Sequence, residues 1–159
     1  MDYHSLLMHV QVFGTCALLA FSPAESDAQV RGTGLDSTSS RIAAELRNRG
    51  RAILTEIQFA GAGDTLAVGS DAAIRRLAKV LLAERGAFLV ESHIRSTGDV
   101  TTDLARTDRR AALVKQRLIA YGFPASRILS MGYGATKPPA PLGGGRPVTS
   151  ERIELSKVP

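Results

Sequence analysis

Apolar residues recur along this chain at two different spacings, and the alternation between them lays out its elements. Leu104, Ala111, Val114, Leu118 and Tyr121 fall at helical spacing, which predicts a long amphipathic helix with one stripe facing a core. Gly122 and Pro124 end it, because glycine tolerates a left-handed turn and proline cannot continue a helix. A second stripe, Ile74, Leu77, Ala78, Leu81 and Leu82, predicts a helix capped by Ser70 or Asp71, with Arg75, Arg76 and Lys79 outward. A short helix over Arg41–Arg49 carries Ile42, Ala43 and Leu46 on one side and stops at Gly50.

Elsewhere the period is two. Ala52–Phe59 sets Ile53, Thr55, Ile57 and Phe59 on one face and Leu54, Glu56 and Gln58 on the other, predicting a first strand. Ala60–Gly69 follows as a loop of small residues, and Ala87–His93, Ile128–Tyr133 and Arg152–Lys157 supply three further strands. The order is helix, strand, helix, strand, helix, strand, strand. It predicts an α/β fold with a mixed four-stranded sheet and helices packed on it. There is no internal repeat.

The N-terminus differs in character. Leu6–Phe21 is apolar apart from His9, Gln11, Gly14 and Thr15, and small residues follow at Ser22-Pro23-Ala24 and Ser26-Asp27-Ala28. Residues 1–28 read as a secretory signal peptide, although no Lys or Arg precedes the apolar run. An uncleaved anchor is the rival, against which the run is short. Cleavage before Cys16 as a lipoprotein fits less well, since the apolar run continues past that residue. Gln29–Ser40, rich in Gly, Ser and Thr, reads as a linker. The organisation expected is therefore 1–28 leader, 29–50 linker and short helix, and 51–158 domain.

Charge narrows the partners. The 159 residues carry 20 Lys+Arg and 15 Asp+Glu, a net +5. The first 28 residues hold three acids and no Lys or Arg, so without them the net rises to +8. Such a surface suits anionic partners: wall polymer, membrane headgroups or nucleic acid. Nucleic acid is not expected, because aromatic residues are only 5% of the chain and no recognition motif occurs. Leu142-Gly143-Gly144-Gly145-Arg146 lacks the Lys-Ser/Thr ending of a phosphate loop. Beyond the N-terminal run one histidine remains and no cysteine, so no nucleophile–base pair, metal set or cofactor motif is in view.

The stretch from Phe88 to Tyr121 carries the most specific signal. Ser92-His93-Ile94-Arg95-Ser96-Thr97-Gly98 leads to Asp103, Arg106-Thr107, Arg110-Ala111, Val114 and Leu118. Gly132-Tyr133-Gly134 with Pro138, and then Arg152-Ile153-Glu154-Leu155, follow downstream. These segments resemble the OmpA-like C-terminal domain family, in which G-H-T-D-x-x-G precedes N-x-x-L-S-x-x-R-A-x-x-V-x-x-x-L. The closing parts there are G-x-G-x-x-x-P and R-V-E-I. The likeness spans about Arg51–Val158 and implies an OmpA-like α/β sandwich.

The resemblance also implies a non-enzymatic envelope domain, exported to the periplasm or outer membrane, that binds peptidoglycan without covalent attachment. Other envelope proteins are further candidate partners. In the family, the Asp of H-T-D takes the ammonium of diaminopimelate and the Arg of R-A takes its carboxylate by a bidentate fork. Arg110 stands at that arginine, but Arg95 replaces the aspartate, and Ala60 stands where a second acid often follows the first strand. His93, Thr97 and Asp103 complete the candidate ligand site, with Asp99 or Asp103 as possible substitutes for the missing acid.

Three readings stay open. The domain binds the wall through Arg110 with altered preference, it binds another anion between Arg95 and Arg110, or it has kept the fold as a structural or protein-interaction module. Local roles also compete with ligand roles. Arg110 fits a surface arginine of its helix, Arg95 a solvated turn, His93 a structural hydrogen bond, Asp103 a helix N-cap, and Arg152 a surface salt bridge.

Overall fold

The computed structural model describes residues 36–137 and 149–159. Within them run α1 (Ser37–Arg49), β1 (Arg51–Ile53), α2 (Ser70–Ala83), β2 (Ala87–His93), α3 (Val100–Ala120), a 3-10 turn at Ala125–Arg127, β3 (Ile128–Gly132) and β4 (Arg152–Val158). The apolar run Leu6–Phe21, Gln29–Leu35 of the linker, Pro138 and the glycine-rich loop 142–146 lie outside the described residues.

The strands form one mixed sheet in the order β1-β4-β2-β3. β4 is antiparallel to both β1 and β2, while β2 and β3 run parallel around α3. Val90 pairs with Leu155, and Glu91 with Glu154. Because side chains alternate, Phe88, Val90, Ile153 and Leu155 turn toward the helices and Glu91, His93, Arg152 and Glu154 toward the other face. The apolar set joins Leu46 of α1, Leu77 and Leu81 of α2 and Val114 and Leu118 of α3 in one buried core. Phe88 and Phe123 meet edge-on within it, their ring centroids 6.0 Å apart.

Several elements differ from the pattern in the sequence. α1 starts at Ser37, so the last four residues of the expected linker are helical. Asp36 makes this possible, since its side chain accepts from the Ser39 amide at 2.8 Å and satisfies a first-turn N–H. Gly50 closes the helix in the left-handed conformation, φ 68°, as expected.

The first strand stops at Ile53 rather than Phe59. Leu54 and Ile57 are both buried and the Ile57 amide donates to the Leu54 carbonyl, so the chain turns where a strand would alternate. Only Phe59 regains an isolated bridge, to Leu66.

On α2 the expected stripe is buried at Ile74, Leu77, Ala78 and Leu81, but Leu82 is 48% exposed and Val80 is buried in its stead. Ala73, Ile74, Leu77 and Leu81 centre the buried face nearer to Val80 at 100° per residue. Nor does Ser70 cap α2: Gly69 takes that position. The buried Ser70 hydroxyl accepts from the Gln58 amide and donates to the Gln58 carbonyl, each at 3.0 Å. It thereby ties the β1–α2 loop to α2.

Candidate functional site

Arg110 projects from the middle of α3, one residue before Ala111 in the core, and its side chain is buried at 2% exposure. Burying a guanidinium is costly unless its donors find acceptors, and here each of its three nitrogens has one. Nε donates to the Gly63 carbonyl at 2.9 Å and Nη2 to the Gly61 carbonyl at 3.2 Å. Nη1 donates to Glu151 Oε1 at 2.5 Å, and the Phe59 ring lies 4.5 Å from the guanidinium carbon. The β1–α2 loop, the approach to β4 and α3 thus converge on one planar cation. Nη1 alone meets a carboxylate, by a single charge-assisted bond, while the other two nitrogens are held by main-chain carbonyls.

The small residues of the loop allow this approach, since the acceptors are main-chain carbonyls of Gly61 and Gly63. The loop acid is Asp64, which pairs with Arg109 at 2.6 Å in a largely exposed ion pair. Sequence reasoning did not single out Glu151, Phe59, Gly61, Gly63 or Asp64 as partners of this region. The nearest signal was Ala60, which marked this loop as part of the site.

The other candidate residues take separate places. Arg95 is exposed and forms no hydrogen bond or ion pair among the described residues. Asp103 is buried and turned back on the β2–α3 loop: Thr97 donates to it from its amide at 3.0 Å and from its hydroxyl at 2.6 Å. The Thr97 hydroxyl and then its amide hold the Asp103 carboxyl below its ordinary range. Asp103 is not the N-cap of α3. That role belongs to Asp99, which accepts from the amides of Thr101 and Thr102. Thr97 and Asp103 are therefore joined to each other, and no hydrogen bond joins either of them to Arg110.

His93 lies on the face of β2 away from the core, buried at 2% exposure. Its ring stacks on Tyr133 at 5.3 Å, and Nε2 stands 3.9 Å from Glu91 and 4.0 Å from Glu154. Both ring nitrogens are buried without a hydrogen-bond partner among the described residues. Burial, followed by the Arg152 charge, lowers its pKa to about 4 against the pull of Glu154 and Glu91, so the ring is neutral near pH 7.

Arg152 is part of the same group. It is buried at 8% and pairs with Glu154 at 2.5 Å, so the expected surface salt bridge is a buried one. Arg51 also pairs with Glu154, and Lys137 with Glu91 at 3.3 Å. Burial works to raise the Glu154 pKa, but the Arg152 hydrogen bond and charge outweigh it and lower the net value. Two buried carboxylates, Glu91 and Glu154, are thus met by three cations, Arg51, Arg152 and Lys137. No group of three or more metal-ligating side chains occurs among the described residues, and none of their helices is long and apolar enough to cross a membrane.

The backbone has counterparts among solved structures. The periplasmic domain of Helicobacter pylori MotB aligns over 67% of this chain and 72% of its own, with a TM-score of 0.54 and 23% identity. The OmpA-like domain of FopA1 from Francisella tularensis aligns over 63% and 68%, at 0.51 and 18%. This chain has the OmpA-like fold. An outer membrane protein of Borrelia burgdorferi aligns over 69% of the OmpA-like chain and 87% of its own, at 0.53 and 19% identity. No protein-family model and no curated protein matches the sequence. At these identities the likeness is one of fold.

Proposed function

We propose that this OmpA-like domain is a non-enzymatic module of the bacterial envelope that associates non-covalently with peptidoglycan. Arg110 is the residue that takes the carboxylate of a stem-peptide diaminopimelate. The observation that carries this reading is the buried Arg110 guanidinium, oriented by two loop carbonyls and paired with a carboxylate. The periplasmic origin of the MotB domain supports an envelope location for this one. Export under residues 1–28, to the periplasm or in association with the outer membrane, completes the proposal.

The test is co-sedimentation of the protein with purified sacculi at low and high salt, beside Arg110→Met and Arg95→Asp. Losing a charge-assisted hydrogen-bond partner weakens binding by roughly ten- to a hundredfold, so Arg110→Met is expected to leave the supernatant full. Wild-type binding that Arg110→Met leaves intact would remove Arg110 from the site.

A second reading draws on the full set of intrachain bonds to Arg110 and on Arg95 at the expected aspartate. In it the domain is a structural or protein-interaction module that has kept the fold and lost the ligand. Binding by Arg95→Asp alone would favour that reading.

A further inference from the structure

The Arg110 guanidinium is held by two kinds of acceptor. Nε and Nη2 rest on the main-chain carbonyls of Gly63 and Gly61, acceptors that orient the plane but carry no charge. Nη1 meets a formal charge, the carboxylate of Glu151. The two partners differ sharply in exposure, with the Arg110 side chain at 2% and that of Glu151 at 58%. Nothing but Arg110 engages the Glu151 carboxylate among the described residues. The other hydrogen bond of this residue is from the Thr149 hydroxyl to its main-chain carbonyl, at 2.6 Å.

We propose that Glu151 is an internal occupant of the carboxylate position on Arg110, and that it sets the affinity of the site by competing with the ligand. The proposal rests on the reading of Arg110 as the ligand-binding arginine. A guanidinium at 2% exposure offers no open edge to an incoming carboxylate while Glu151 is seated. The Glu151 side chain is more than half exposed and has one charged partner to leave.

Exchange of one carboxylate for another keeps the buried guanidinium paired throughout. Departure without replacement would strand a buried charge, which is strongly unfavourable. The loop carbonyls hold the plane of Arg110 while its outward donor changes partner. Glu151 thus excludes weak or neutral ligands and admits one whose carboxylate is fixed in place by further contacts.

The experiment compares wild type, Glu151→Gln, Glu151→Ala and Glu151→Ala/Arg110→Met in the full chain. The side-chain N–H signals of Arg110 are followed by NMR during titration with sodium acetate, with sodium chloride as the ionic control. Co-sedimentation with sacculi is measured in parallel, and thermal unfolding verifies that each variant is folded.

Glu151→Ala is expected to respond to acetate at about tenfold lower concentration than wild type, with the double variant silent. Glu151→Gln, which keeps a neutral acceptor, falls between. Equal acetate responses in wild type and Glu151→Ala overturn the proposal. So does weaker sacculus binding by Glu151→Ala, which would make Glu151 a contributor to binding. Tighter acetate binding without sedimentation of any variant sustains the occupant role and refutes the wall reading.

Discussion

Gly132→Ala is expected to be among the most damaging single substitutions in the domain, although it adds one methyl group. Gly132 ends β3 where the strand passes beneath α3. A Cβ built there falls 2.2 Å from the Asp108 amide nitrogen, 2.5 Å from Thr107 Oγ1 and 2.6 Å from the Thr107 carbonyl carbon. Favourable heavy-atom contact begins near about 3.5 Å, so α3 must retreat by roughly 1 Å. Two of the three atoms are backbone, and no rotamer change relieves them.

The retreat also opens two bonds that join strand and helix: Gly132 N–H to Asp108 Oδ1 at 2.6 Å and Gly134 N–H to Thr107 Oγ1 at 2.9 Å. Overpacking costs about 1–3 kcal/mol and each lost bond about 1 kcal/mol, giving roughly 3–5 kcal/mol. Against a typical domain stability of about 5–15 kcal/mol that is a large share.

Urea unfolding followed by far-UV circular dichroism measures it, with Gly63→Ala as the control. An added Cβ at Gly63 finds its nearest neighbours at 3.8 and 3.9 Å, so that variant is expected to stay within about 0.5 kcal/mol of wild type. A Gly132→Ala loss below about 1 kcal/mol would refute the steric argument, because a helix able to yield so cheaply is not pinned. The same displacement draws Arg110 away from Gly61 and Gly63, so ligand binding is expected to fall with stability.

Two further outcomes are expected. The folded state keeps His93 neutral down to about pH 4, whereas the unfolded chain protonates near 6.5. Between those values the unfolded state binds the extra proton, so stability is lost as pH falls from about 6.5 toward 4, by at most about 3 kcal/mol. Glu154, its pKa lowered, adds a loss in the same direction at lower pH. Urea midpoints between pH 7 and pH 4 measure this, and His93→Phe should flatten the slope; an unchanged slope removes His93 as its source. Ser70→Ala removes both Gln58 bonds at a cost of about 1–2 kcal/mol. It should also speed hydrogen exchange at the Gln58 amide, and exchange as slow as in wild type would show that the hydroxyl does not hold the loop.

What the sequence made legible follows its local patterns. The stripes of α2 and α3, the stop at Gly50 and the strand sequence of β2 and β4 are short-range features, and they gave the architecture. The first strand was overrun because Ile53, Ile57 and Phe59 share a parity that a turn through Leu54 and Ile57 also satisfies. Asp103 and Asp99 both suit a cap, and the choice depends on where Thr97 lies. Burial of Arg152 and Glu154 depends on cross-strand neighbours, which alternation along one strand does not reveal. The Arg110 position was marked by its motif, but its partners were not. Glu151 lies 41 residues away, and the Gly61 and Gly63 carbonyls have no side-chain signature. Such long-range convergence is a property of the folded topology.

The strand order β1-β4-β2-β3 also governs when the molecule can become whole. β1 and β2 are separated in the sheet by β4, so Arg51–Ile53 has no partner until residues 152–158 have been synthesised. The β2–α3–β3 unit can associate early, as its contacts are nearer in sequence, but the central position stays vacant until the last strand arrives. Sheet closure of that kind comes late and slowly, because long-range pairing requires loop closure first. A nascent chain emerging from a ribosome therefore remains open over most of its synthesis. The export proposed for residues 1–28 requires a chain that is still open in this way.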